Sequence, residues 1–143
     1  MYNKILLPTD GQAISEKSLK HAAFIAEASN AEIIIVSVAE TSFASGLPVA
    51  ENLSEIIGAL TVMAEDNVKK AEQEIKESYS DIKVKTQVYE GVPADIILKI
   101  IDEEDIDLVV FGNSQKSGFQ KFLIGSVSDK VIRSNKSSVL FIK

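Results

Sequence analysis

The sequence predicts an α/β protein: an open, parallel, five-stranded sheet with four helices distributed over its two faces, in the Rossmann-like manner. Three observations lead there. Segments of two different hydrophobic periods alternate from end to end, reading β-α-β-α-β-α-β-α-β. Ile33-Ile34-Ile35-Val36 and Leu108-Val109-Val110-Phe111 are unbroken apolar runs, the pattern of strands covered on both faces. Finally, 143 residues, of which 45% are hydrophobic, supply one ordinary core rather than two. Residues 1–143 are therefore expected to form a single domain.

The elements follow in order. Lys4 to Pro8 is a short apolar strand, closed by the turn cluster Pro8-Thr9-Asp10-Gly11. Ile14 to Ala28 reads as a helix, because Ile14, Ser18, Ala22, Ile25 and Ala26 recur at helical spacing against a polar face of Glu16, Lys17, Lys20 and Glu27. Glu32 to Ala39 is a buried strand, and Glu40 to Asn52, with Gly46 and Pro48, breaks the periodicity and reads as a mobile loop. From about Leu53 to Ser78, the series Ile56, Leu60, Met63, Ala64, Val68, Ala71 and Ile75 predicts one long helix with that series as its buried face. Val84, Thr86 and Val88 alternate with Lys83, Lys85 and Gln87, as a sheet-edge strand does. Gly91-Val92-Pro93 ends it, and Pro93 suits the first turn of a helix through Ile96, Ile97, Ile100 and Ile101. A strand over Asp107–Gly112, a short helix over Ser126–Arg133 and a last strand over Val139–Ile142 complete the chain.

Composition removes several function classes. With 15 Lys plus Arg against 21 Asp plus Glu, the net charge of −6 would repel a phosphate backbone, so no nucleic-acid partner is expected. The absence of cysteine excludes a disulfide framework, a thiol nucleophile and a Cys-based zinc site. His21 is the only histidine, which excludes a multi-histidine metal site; between Leu19 and Ala22-Ala23 it reads as a structural residue within a helix. Apolar runs such as Ile33 to Val36 fall far short of the roughly 18 residues that span a bilayer, and Lys4-Ile5-Leu6-Leu7-Pro8 is too short for a signal peptide. No membrane partner and a cytoplasmic location are expected.

In an open parallel sheet, ligands bind outside the carboxyl ends of the strands, where strand order reverses. The loops to inspect are then Pro8-Thr9-Asp10-Gly11, Val38-Ala39-Glu40 and Gly112 to Ser126. The last carries glycines, hydroxyls, Lys116 and Lys121, and it ends at a helix start. Such a loop suits phosphate, because glycines admit close backbone approach and a helix N-terminus offers unpaired N–H donors. The same Gly125-Ser126 also serves as an ordinary helix cap.

Leu7-Pro8-Thr9-Asp10-Gly11, Glu90-Gly91-Val92-Pro93-Ala94, Asp107 to Gly112 and Ile124-Gly125-Ser126-Val127 occur in that order, and with them the chain resembles the universal stress protein family over essentially its whole length. The resemblance implies a sheet of order 3-2-1-4-5, with the reversal between the first and fourth strands. ATP-binding members carry a loop of glycine, two residues, glycine, nine residues, glycine, then Ser or Thr. Here Gly112, Gly125 and Ser126 fit that pattern, while Gln115 stands in place of the second glycine. Gln115 either fills the volume through which the phosphates approach or hydrogen-bonds them itself; Gly118 lies three positions on. By the same resemblance Asp10, within Pro8-Thr9-Asp10, contacts the adenosine, main chain at Val38 reads the adenine, and Phe111 and Val127 lie beside the nucleotide. Gln12 replaces the family's usual Ser after Asp-Gly.

The resemblance thus implies ATP or AMP as ligand, with magnesium accompanying ATP, and a homodimer formed by antiparallel pairing of Val139, Leu140, Phe141 and Ile142, with Ser138 where many members have Pro. The alternative is a dimeric interaction module that binds no nucleotide because Gln115 closes the loop, acting on an unknown protein partner. No catalytic constellation is found among Thr9, Asp10, Ser114, Lys116, Ser117 and Ser126, so an enzyme is not expected; slow ATP hydrolysis or autophosphorylation at Ser114, Ser117 or Ser126 is a third reading. The acidic cluster from Asp102 to Asp107 joins a helix to a strand at the opposite end of the sheet and reads as a solvated turn.

Overall fold

The computed structural model describes residues 1–10, 14–42, 52–112, 126–134 and 136–143. The strands are β1 (Lys4–Pro8), β2 (Glu32–Glu40), β3 (Val84–Gly91), β4 (Leu108–Gly112) and β5 (Ser138–Ile142), and the helices α1 (Ile14–Ser29), α2 (Leu53–Ser78), α3 (Pro93–Glu103) and α4 (Ser126–Ser134). All strand pairs are parallel, in the order β3-β2-β1-β4-β5. The order reverses between β1 and β4, as the family resemblance implied.

The strand period of two sorts the core into two layers. Ile5, Leu7, Ile33, Ile35, Leu108 and Val110 point to one face, where Leu19, Ala22, Ala23 and Ala26 of α1 and Val68, Ala71 and Ile75 of α2 cover them. Leu6, Ile34, Val36, Val109 and Phe111 point to the other, beneath Ile97, Ile100 and Ile101 of α3 and Val131 of α4. Each buried Val, Leu, Ile or Phe among them contributes about 1.5–3 kcal/mol by leaving water. The two unbroken apolar runs belong to β2 and β4, which flank central β1, while alternating β3 lies at an edge, as its pattern predicts.

Two helices stop at residues in the left-handed region that are not glycine. Asn30 (φ 54°) follows α1 and Asp105 (φ 53°) follows α3. In each case the next N–H reaches back five residues, Ala31 to the Ala26 carbonyl at 2.9 Å and Ile106 to the Ile101 carbonyl at 3.1 Å. These bonds satisfy carbonyls that the helix end would otherwise leave open.

α2 departs from expectation along its length. The series from Ile56 to Ile75 is helical throughout, but burial begins only at Ala64; Ile56 is 47% exposed and Met63 60% exposed. At 26 residues the helix runs about 39 Å, against about 26 Å for the 8 residues of β3, so its first turns pass the end of the sheet. Thr61 marks the level of that end, its hydroxyl lying 2.8 Å from a carboxylate oxygen of Glu90 near the end of β3. His21 is exposed on α1, and so takes no part in the core.

Candidate functional site

Backbone direction explains why the sheet opens between β1 and β4. In a parallel strand, successive residues turn their N–H and C=O groups to opposite neighbours. The Thr9 N–H donates to the Val36 carbonyl on β2 at 2.8 Å, whereas the Lys4 carbonyl accepts from Asp107 beside β4 at 3.0 Å. Lys4, Leu6 and Pro8 therefore face β4, and Pro8 brings no N–H to it. Registered pairing between β1 and β4 covers Ile5↔Leu108 and Leu6↔Val109, while β1 remains paired with β2 as far as Pro8↔Val36.

At the opposite, amino end the same two strands are clasped. The Asp107 carboxylate accepts the N–H groups of Asn3 at 2.7 Å and Lys4 at 2.9 Å. These bonds hold its pKa below the ordinary carboxylate range, the Lys4 bond contributing most. Glu104 is also held low, first by the Gln87 amide at 3.1 Å and then by the Lys85 ammonium at 3.4 Å. The acidic turn thus lies at the end away from the ligand loops, as expected, but two of its carboxylates tie elements together. No sequence pattern announced those partners, which lie far away along the chain.

The candidate residues that the structure describes lie toward the carboxyl end of the sheet. Thr9 is buried and Asp10 is exposed just beyond β1. Val38 near the end of β2, buried Phe111 on β4 and Val127 at the start of α4 belong to one apolar cluster on the α3–α4 face. Gly112 ends β4, where it is registered with Ile142, and Ser126 is exposed as the first residue of α4. The N-terminus of α4 carries partial positive charge, suited to an anion. Gln115 and Gly125 lie outside the described residues, as do Gly11, Gln12, Ser114, Lys116, Ser117, Gly118 and Lys121.

A further ion pair has no signal in the sequence: Lys130 on α4 meets Asp95 in the first turn of α3 at 2.6 Å, tying together the two helices that flank the carboxyl end of the sheet. Among the described residues this end of the sheet offers apolar side chains, the Asp10 carboxylate, the Ser126 hydroxyl and the start of α4. Among the described residues no group of three or more His, Asp or Glu side chains is placed to hold a metal ion. Nor is any described helix long and apolar enough to cross a membrane.

The sequence profile of the universal stress protein family matches residues 1–143. The chain belongs to the universal stress protein family. Universal stress protein MJ0531 of Methanocaldococcus jannaschii is 35% identical over 143 residues, covering 100% of this chain and 83% of the relative. The solved structure of MJ0577, from the same organism, superposes with a TM-score of 0.82 at 28% identity, covering 100% of this chain and 96% of that one. A universal stress protein solved in complex with cAMP matches at a TM-score of 0.62 and 27% identity, covering 99% of this chain and 97% of that one. The five-stranded order and four helices are those of universal stress protein structures.

Proposed function

We propose that this universal stress protein is an adenine-nucleotide-binding regulatory module that works as a homodimer and takes ATP or AMP in the opening between β1 and β4. The observation that carries the reading is the early end of the β1–β4 ladder, with Asp10 following β1 there and Val38, Phe111 and Val127, at the start of α4, sharing one apolar cluster. A related protein of the same fold has been solved with cAMP, an adenine nucleotide, which supports the ligand class. In this reading Pro8-Thr9-Asp10 meets the adenosine, main chain at Val38 reads the base, Phe111 and Val127 flank it, and Gly112, Gln115, Gly125 and Ser126 receive the phosphates. Magnesium would arrive with ATP on its phosphates, since no carboxylate cluster is offered for it among the described residues. The role is regulatory rather than catalytic and belongs to the cytoplasm, with an unidentified protein as the downstream partner.

The dimer would form along β5. Pairing direction supports this, because the Ser138 N–H donates to the Asp107 carbonyl at 3.0 Å, which turns Ser138, Leu140 and Ile142 toward β4. Val139 and Phe141 then present their N–H and C=O groups at the outer edge. Ser in place of Pro at position 138 thus restores a bond within the sheet rather than one toward a second copy.

The test begins with denaturing the purified protein, identifying any released nucleotide by mass spectrometry, and titrating the emptied protein with ATP plus magnesium and with AMP by calorimetry. Stoichiometric adenine nucleotide, with saturable binding weakened in Asp10→Ala, is the expected result. Absence of both released nucleotide and saturable binding would sink the reading. It would favour the alternative motivated by Gln115, a dimeric interaction module without nucleotide. Gln115→Gly separates the roles of that side chain: tighter ATP binding means obstruction, and weaker binding means contact with phosphate.

A further inference from the structure

We propose that the exposed first half of α2 is a docking surface for a basic, amphipathic helical segment of another protein. Ile56, Ala59 and Met63 follow one another at i, i+3 and i+7, with Val62 beside them, so they line one flank of the helix. Ile56, Val62 and Met63 are 47%, 55% and 60% exposed. Among the described residues, other exposed large apolar ones, such as Phe24 on α1 and Ile132 on α4, stand singly on their helices. Apolar anchors recurring at this spacing match the way one amphipathic helix lies against another, and Met63 adds an adaptable, polarisable contact.

Position and charge choose the occupant. Thr61 meets Glu90 at the end of β3, so the turns before it stand beyond the sheet's carboxyl end. Glu55, Glu65 and Asp66 are exposed around the apolar stripe, and no Lys or Arg occurs between Asn52 and Val68. Binding a second copy would set two acidic rims against each other in a chain already at −6, and an anionic bilayer would be repelled in the same way. A segment carrying Lys or Arg around Leu-like anchors satisfies both the stripe and its rim. This surface stands independently of nucleotide binding.

The test titrates the isotopically labelled full chain with a synthetic amphipathic peptide of Leu and Lys, and with a matched peptide of Leu and Glu, following backbone chemical shifts. Saturable shifts centred on residues 55–66 are expected with the Lys peptide alone. Ile56→Ser and Met63→Ser should each weaken binding by about tenfold with unfolding temperature unchanged, since both side chains are exposed. Glu55→Lys combined with Asp66→Lys should transfer the preference to the Glu peptide. Binding that is indifferent to Ile56→Ser and Met63→Ser, or shifts scattered over other acidic surface, would overturn the proposal. Self-association abolished by Met63→Ser would also overturn it and assign the stripe to a second copy.

Discussion

Asp107 shows how a single carboxylate joins distant parts of the chain. It accepts two backbone N–H groups from Asn3 and Lys4, so its charged form is favoured in the folded protein. A depressed folded pKa gives stability that is present above the unfolded value of about 3.9 and is lost as pH falls through the folded value. Asp107→Asn is therefore expected to lose about 1–2 kcal/mol near neutral pH and to flatten the fall in stability below about pH 4, as followed by urea unfolding across pH. Asp105 gives the opposite case. At φ 53° an exposed Asp carries steric strain that glycine lacks, so Asp105→Gly should stabilise by about 0.5–1 kcal/mol in the same assay.

At the scale of elements, α2 behaves as two helices in one. Ile75, with 0% exposure, packs in the core, whereas Ile56 of the same apolar series is 47% exposed. Ile75→Ala should cost about 2–4 kcal/mol and Ile56→Ala within about 0.5 kcal/mol, a contrast that denaturant melts read directly. Gly58 sits in the projecting half, and a Cβ added there meets nothing within 4 Å. Gly58→Ala should accordingly raise stability by about 1 kcal/mol through helix propensity alone. Periodicity made this helix legible and placed its limits well. It placed Ile56 and Met63 on the buried face and was overturned there, because a repeat specifies which flank is apolar and says nothing about how far the sheet beneath it extends.

Across the whole molecule, the β1–β4 seam is clasped at its amino end and open at its carboxyl end. Asp107 bonds hold the one, and Pro8 ends the ladder at the other. At the outer edge, Val139→Pro removes an N–H that faces away from β4, while Leu140→Pro removes one from the β4–β5 ladder itself. The first should dissociate the proposed dimer in sedimentation while leaving the fold intact, and the second should destabilise the fold. A Val139→Pro protein that remains dimeric would move the interface elsewhere.

The sequence by itself determined the alternation of strands and helices, the doubly covered character of β2 and β4 and the edge character of β3, because these follow from local period and the need to bury apolar faces. Pro8, Asp10, Val38, Phe111, Ser126 and Val127 were named as candidates through the family resemblance and the rule that ligand loops follow strand ends, and the structure places them after, or near the ends of, β1, β2 and β4 and at the start of α4. Tertiary structure alone decided that Asp107 clasps Asn3 and Lys4, that the Ser138 N–H turns inward, that Lys130 meets Asp95, and that α2 outruns its sheet. Each of those depends on where a distant element comes to lie and in which direction its backbone groups point, and a local pattern of residue types carries neither.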